Sequence, residues 1–394
     1  NTSGGAFTVN LPAGSAGAIV SLADYAATWQ TNAVTVSPNG TDKIGSVNVD
    51  VTLSTEGQSV TFVFVDSTQG WINTMDSTSN VRGANFICAS VSGAGNSIAT
   101  VGGCKVATFT GPGTFTVNSV ADCSANNEIS YIVVAGGGGG GGRHGGAGGA
   151  GGFREDKSPV TPYTASPLDG AGPITVTAAS FPITVGGGGT AGNRNPGSAG
   201  TNGANSVFST ITSTGGGRGY TYATGNPGTG GQPGGSGGGG GHTQCSGIPG
   251  GAGNTPPVSP SQGNNGGNGT GGPYDYSGGG GGGATANGAT APSVGGGAGG
   301  AGATTSINGT PTGRAGGGGG GNYNVAPGGA GAATDGGGAG GGGPPGSPTT
   351  ATAGTANTGG GGGGYGGTNP GNPSPTCTGG NGGSGVVIIR YKSS

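Results

Sequence analysis

The sequence predicts an all-β chain: small N-terminal β-sandwich or barrel-like modules, then a glycine-rich bundle of extended polyglycine II helices, with no α-helix of note. Three observations predict it. Apolar and polar residues alternate at period two through the first 135 positions, and no helical period accompanies them. All but 15 of the 110 glycines fall between Gly136 and Gly385. Two apolar runs, Tyr131–Ala135 and Val386–Tyr391, bracket that region. The expected division is therefore 1–80, an N-terminal β module; 81–135, a second short β module; 136–385, the polyglycine bundle; and 386–394, a terminal strand pairing with 129–135.

The first module is read strand by strand. Phe7–Leu11 and Val47–Leu53 alternate, and a short turn at Glu56-Gly57-Gln58 leads into Val60–Val65, which reads as a hairpin with the preceding strand. Pro38-Asn39-Gly40 is a turn, because Asn and Gly tolerate positive φ. Trp71 is expected to close a small core with Trp29 and Tyr25. In the second module Val106–Phe109 and Thr114–Val117 flank the tight turn Gly111-Pro112-Gly113. The apolar strand Ile129–Val134 then runs into seven glycines.

Glycine-rich composition defaults to disorder, since few side chains offset an ordering cost of about 1–2 kcal/mol per residue. The ordered alternative is backbone hydrogen bonding between segments. Collagen needs glycine at strictly every third position, which fails here, and the calcium-binding β-roll repeat fails because the runs lack its Asp. What remains is a bundle of left-handed helices with three residues per turn and no internal hydrogen bonds. Glycine runs begin near Gly136, Gly186, Gly215, Gly237, Gly278, Gly295, Gly316, Gly336 and Gly359. They read as about nine rods separated by turns rich in Asn, Pro, Thr and Ser. Ala147 and Ala150, like Ala298 and Ala301, recur every third residue, so their methyls form ridges expected on the bundle exterior or against a neighbouring subunit.

Composition excludes several functions. Charged residues are 6% of the chain, against roughly 25% in ordinary domains. The net charge is -2 and the basic residues are scattered, so neither nucleic acid nor an anionic membrane surface is an expected partner. No apolar stretch approaches the ~20 residues of a spanning helix. The start at Asn1 reads as a processed product or a cropped segment.

Candidate chemistry is sparse. The five cysteines match no metal spacing, and no cofactor or metal is expected. Two disulfides and one free thiol suit an oxidising compartment, with Cys245–Cys377 and Cys104–Cys123 as the pairs; buried unpaired thiols are the alternative. His144 and His242 sit in distant glycine runs and build no catalytic triad, and no phosphate-binding loop is complete. Arg154, Glu155, Asp156 and Lys157 read as a solvated charged turn. Tyr220, Tyr222, Tyr274, Tyr276, Tyr323 and Tyr365 lie between glycine runs. They are candidates for receptor or subunit contact, or for capping rod ends on exposed glycine backbone. Asn1, Asn39, Asn268 and Asn308 open N-glycosylation sequons.

Three segments carry a resemblance. FTGPGTFTV (109–117), YIVVAGGGGGGG (131–142) and GGSGVVIIRY (382–391) look like the glycine-rich domain of phage tail-fibre and virion-surface proteins. FTVNLP (7–12), IVSLADYAATWQTNAVTV (19–36) and TFVFVDSTQGW (61–71) resemble a β module of tail-fibre proteins. The resemblance implies a non-enzymatic extracellular or virion-surface adhesin, often trimeric, that presents binding loops on a polyglycine scaffold to a cell-surface glycan or protein. The alternative is a secreted subunit that polymerises into an extracellular filament; closed three-fold contacts separate the first from open head-to-tail contacts.

Overall fold

The computed structural model describes residues 1–77, 86–193, 199–221, 230–242, 247–271, 276–323, 329–343, 349–367 and 378–393. Among them the chain is all-β, with one short 3-10 turn at Ser124–Asn127. It divides into two compact units, Asn1–Ala84 and Asn85–Ser394.

The first unit holds six strands: β1 (Phe7–Asn10), β2 (Ile19–Ala23), β3 (Val34–Ser37), β4 (Val51–Leu53), β5 (Ser59–Phe64) and β6 (Trp71–Ser77). They form two three-stranded sheets, β1-β3-β4 and β2-β5-β6. The hairpin expected across Glu56-Gly57-Gln58 is not formed. β4 pairs with β3, and β5 with β2 and β6, because both strands send alternate apolar residues into one shared core. Leu53, Val60, Phe62 and Phe64 meet Trp29 and Trp71 there. Phe64 and Trp71 pack edge to face at 5.5 Å. Tyr25 stays outside at 79% exposure. Its neighbour Asp24 is buried instead, accepting N–H bonds from Thr28, Trp29 and Gly57 at 3.1–3.2 Å.

The second unit begins with β7 (Cys88–Ser92), β8 (Ser97–Val101), β9 (Cys104–Phe109), β10 (Gly113–Ser119) and β11 (Glu128–Val134). It continues with β12 (Phe153–Asp156), β13 (Ile174–Thr175), β14 (Ser180–Thr184), β15 (Ser206–Phe208) and β16 (Ile211–Ser213). Later come β17 (Ala303–Thr305), β18 (Thr312–Arg314), β19 (Asn322–Tyr323), β20 (Gly342–Gly343) and β21 (Val386–Lys392). One sheet runs β12-β11-β21-β9-β8, with β13 also on β11; a second runs β16-β15-β14-β10-β7. The segment 81–135 is thus not a module of its own, because β9 bonds directly to β21. The Gly111-Pro112-Gly113 turn carries the chain from one sheet to the other.

β11 and β21 pair antiparallel from Ser130↔Arg390 to Val134↔Val386, and both are buried on two faces. Tyr131, Val133, Val387 and Ile389 face a cluster with Phe115, Ile183 and Phe208. Ile132, Val134, Val386 and Ile388 face Phe153 and the alanines Ala150, Ala284, Ala303 and Ala315. The second cluster is where the sheet meets the glycine rods.

The rods continue the ladder. Past the Val134↔Phe153 pair, the N–H groups of Ala135, Gly138 and Gly141 donate to Gly152, Gly149 and Gly146 in turn at 2.9–3.0 Å. Past Val134↔Val386, Gly137 and Gly140 donate to Gly383 and Gly380 at 2.9 Å. Gly136 and Gly139 donate to Ala204 and Thr201 at 3.0 Å. The partner changes with every residue and returns every third one, which is the signature of a three-residue turn. The carbonyls of the same rod accept from three further segments: Gly136 and Gly139 from Gly216 and Gly219, Gly137 and Gly140 from Gly189 and Gly192, Gly138 and Gly141 from Gly362 and Tyr365. The 136–142 rod is therefore bonded to six neighbours, and so is the 145–152 rod. No backbone group of the 136–141 stretch is left orphaned in a dry interior.

The rods are more numerous than the glycine runs. Segments expected as turns are rods too: Ile248, Gly251 and Asn254 donate to Gly241, Gly238 and Gly235, and Thr352 and Thr355 donate to Ala339 and Gly336. The long glycine runs at 136–142, 237–241, 278–283, 316–321 and 359–364 lie inside, while 186–189 and the mixed segments with Thr, Asn, Ala and Pro lie outside, where a Cβ has room. Asn does specific work there. Asn202, Asn265, Asn268 and Asn381 each accept through the side-chain Oδ1 an N–H of the adjacent rod, at 2.7–3.0 Å.

The alanine ridges divide between inside and outside. Ala298 and Ala301 are exposed, but Ala147 and Ala150 are fully buried at the bundle centre, so the exterior placement expected for them is wrong. The reason lies in the three rows of the rod. Added methyls on Gly145, Gly148 and Gly151 would strike carbonyls of the 135–141 stretch, and on Gly146 and Gly149 those of Gly239 and Ser236. The third row carries the alanines, and Ala150 packs with Ala284 and Ala315.

Gly148→Ala drives its methyl into the Gly138 carbonyl and is expected to destabilise the protein by about 1–3 kcal/mol or more. Gly187→Ala meets nothing within 4 Å and should stay within about 1 kcal/mol of the parent, on the stabilising side. Denaturant unfolding of both variants checks the lattice.

Candidate functional site: the aromatic tip of the bundle

Each inner rod that starts at the sheet ends on a side chain larger than alanine. The 136–142 rod ends on Arg143 and His144, 215–219 on Tyr220, 237–241 on His242, 316–321 on Asn322 and Tyr323, and 359–364 on Tyr365. Tyr276 opens an antiparallel rod from the same end. These rods run in register, so their terminal residues collect at one tip.

The turn joining the two central rods places Arg143 and His144 at φ 44° and 53°. Left-handed backbone is uncommon for such residues, and the packing of His144 holds it. His144 stacks on Tyr276 at 4.6 Å and lies 5.7 Å from His242 and 6.3 Å from Tyr323. Tyr276 meets His242 at 4.6 Å and Tyr323 at 5.4 Å. The two histidines, distant in sequence, are thus neighbours. The His242 Nδ1–H donates to the Thr270 carbonyl at 3.0 Å, an acceptor that fixes this tautomer. Burial, helped by His242 and Arg143, pushes the His144 imidazole down to about 3, so it is neutral at pH 7.

Of the candidate tyrosines, Tyr220 and Tyr365 are buried and Tyr276 and Tyr323 half-buried. The Tyr220 ring covers Gly241 and the Tyr365 phenol covers Gly367, where any added methyl would collide. These two cap rod ends on glycine backbone. Tyr222 and Tyr274 lie outside the described residues, as do Cys245 and Cys377 with the disulfide expected between them. Cys104 and Cys123 are free thiols: Cys104 is buried at the start of β9 and Cys123 is exposed between β10 and the 3-10 turn, so the expected staple across a strand pair has no strand pair to bridge. Asn1 and Asn39 are exposed in the first unit; Asn268 spends its Oδ1 on the Gly250 N–H, and Asn308 is half-buried.

The charged group 154–157 is no solvated turn. Phe153–Asp156 is strand β12, and Glu155 is fully buried. Its carboxylate accepts from the Thr305 hydroxyl at 2.6 Å and the Ser166 N–H at 2.9 Å. Arg390 donates to the Ile307 and Pro162 carbonyls at 3.1 and 3.0 Å. Burial first, and Glu155 second, raise the Tyr163 hydroxyl above its ordinary range. This polar knot anchors the loops at the sheet end of the bundle.

Among the described residues no three His, Cys, Asp or Glu side chains are grouped to hold a metal ion, and no helix is long and apolar enough to cross a membrane. The histidine cluster was missed in sequence because its members lie 98 positions apart; the signal was that each stands within two residues of the end of a glycine run.

Unfolded, His144 titrates near 6.5 and, folded, at about 3. Between these values the unfolded chain binds the proton and the folded one does not. Stability therefore falls as pH falls through that window, by about 1.4 kcal/mol per pH unit for this group. His144→Asn, which tolerates the left-handed backbone, should flatten that slope in denaturant titrations across the window; an unchanged slope would show that His144 is not the buried base.

A family model described as glycine-rich domain matches residues 108–392, from the end of β9 to the last residue of β21. No curated protein matches the chain. The matched span holds the β11–β21 pair and every rod, and on that match the chain belongs to the glycine-rich domain family.

Proposed function

We propose that the protein is a non-enzymatic extracellular fibre protein, a tail-fibre-like adhesin whose polyglycine bundle carries a binding tip for a cell-surface glycan or protein. The observation that supports this reading is the chemical polarity of the bundle. Its inner rods admit almost nothing larger than glycine, its charged knot is buried at the sheet end, and the aromatic side chains that end the rods gather at the other end. Tyr276 and Tyr323 are the half-buried members of that cluster. Tyrosine offers rigid amphipathic area at low entropic cost, which suits recognition. A scaffold bonded through its backbone tolerates changes in tip residues without repacking a core.

The test uses labelled full-length protein on a panel of intact bacterial cells, with a Tyr276→Ser/Tyr323→Ser variant whose fold is verified by thermal unfolding. Loss of two aromatic anchors should weaken cell binding by roughly tenfold or more. Binding to no cell type, or undiminished binding by a folded double variant, would overturn the reading.

A further inference from the structure

Asn-Gly pairs are usually read as turn signals, and Asn39-Gly40 is one: it sits in a turn closed by the Asp42 N–H on the Asn39 carbonyl at 2.8 Å. Five other pairs are not turns. Asn202-Gly203, Asn265-Gly266, Asn268-Gly269, Asn287-Gly288 and Asn381-Gly382 all lie on outer rods and share one arrangement. The Asn side chain is exposed and its Oδ1 accepts an N–H, from Arg218, Gly253, Gly250, Asn265 and Ala191 respectively, at 2.7–3.1 Å. The following Gly points inward, where an added methyl would strike a backbone carbonyl. Its N–H donates to a neighbouring rod, at Gly216, Gly251, Ile248, Asn265 and Gly189 respectively, over 2.8–3.0 Å. Asn followed by Gly is thus the outer-rod dipeptide: a sideways bridge, then a residue with no Cβ.

The same dipeptide is chemically fragile. The backbone nitrogen of the Gly attacks the Asn side-chain carbonyl carbon, a C–N bond forms, ammonia leaves, and the resulting cyclic imide takes up water to give aspartate or isoaspartate. The attack needs the Gly N–H released and the Asn side chain free to swing onto it. In the five rod pairs both groups are held by neighbouring rods. At Asn39-Gly40 neither the Gly40 N–H nor the Asn39 side chain is hydrogen-bonded among the described residues, and both residues are exposed. Asn308-Gly309 stands between, its Gly309 N–H held at 2.8 Å by Ser306 within one turn.

We infer that the rod lattice locks its Asn-Gly pairs against deamidation and that Asn39 is a site of spontaneous conversion to aspartate and isoaspartate. Reaction in the rods must wait for local opening, which a hydrogen-bonded interior resists. The modification adds one negative charge per event at a turn of the first unit and spares the scaffold.

The test is peptide mass spectrometry of the full chain, produced in a host without N-glycosylation and aged at mildly alkaline pH, natively and in concentrated urea. In the native chain Asn39 should convert at least roughly tenfold faster than Asn202, Asn265, Asn268, Asn287 and Asn381. In urea the six rates should converge. Rod residues converting natively at the Asn39 rate would overturn the protection, and an Asn39 that survives natively but converts in urea would overturn the site.

Discussion

The second unit depends on one interaction, the backbone hydrogen bond made sideways between extended segments. A three-residue turn points successive N–H groups in three directions and successive carbonyls in three more, so an interior rod needs six partners. The antiparallel strands β11, β12 and β21 supply the starting phase. Their ladders run without a break into the rods at 136–142, 145–152 and 378–385. The register of Val134 against Phe153 and Val386 therefore fixes which glycine faces which neighbour, and that choice propagates outward through each shared bond.

Hydrogen bonding alone does not stabilise such a bundle. Ordering a residue costs about 1–2 kcal/mol, and more for glycine, while a backbone hydrogen bond contributes about 0.5–1.5 kcal/mol net. The lattice is close to neutral by itself, and its ends carry the burden. At the sheet end two apolar clusters enclose β11 and β21, with the Glu155–Thr305 knot tying down the loops. At the tip Tyr220 and Tyr365 cover Gly241 and Gly367, beside the packed rings of His144, His242, Tyr276 and Tyr323. Order in the glycine segments follows from being held at both ends.

Much of this was legible in the residues, and the failures have causes. The apolar runs at Ile129–Val134 and Val386–Tyr391 mark two strands buried on both faces, and the long glycine runs mark inner rods, because both are local patterns imposed by close neighbours on every side. The outer rods were read as turns, since Asn, Thr and Pro are turn formers in most settings. Only the lattice reveals that an outer rod has room for a side chain on its solvent faces. Ala147 and Ala150 show the converse: identical spacing to Ala298 and Ala301, opposite placement, decided by which neighbours the third row meets. The pairing of His144 with His242 needs the direction of every intervening rod, which no local pattern carries. Glu155 looked solvated because a charged tetrapeptide usually is, and its burial rests on partners as remote as Thr305.

The bundle thus separates two kinds of information along its length. Near the sheet, side-chain identity sets register, and a change there shifts every bond downstream. Along the rods, identity is nearly erased: the backbone does the bonding and the only question is whether a Cβ fits. At the tip, register has already been set and the backbone has been satisfied, so side chains are free to differ in size and chemistry provided they cover the last glycines. Tyr220 and Tyr365 fulfil that covering role by lying on Gly241 and Gly367, while Tyr276 and Tyr323 stay half-buried. Room for large side chains therefore exists at the tip and on the outer rods but not in the inner ones, and that restriction is the physical ground on which we propose recognition at the tip.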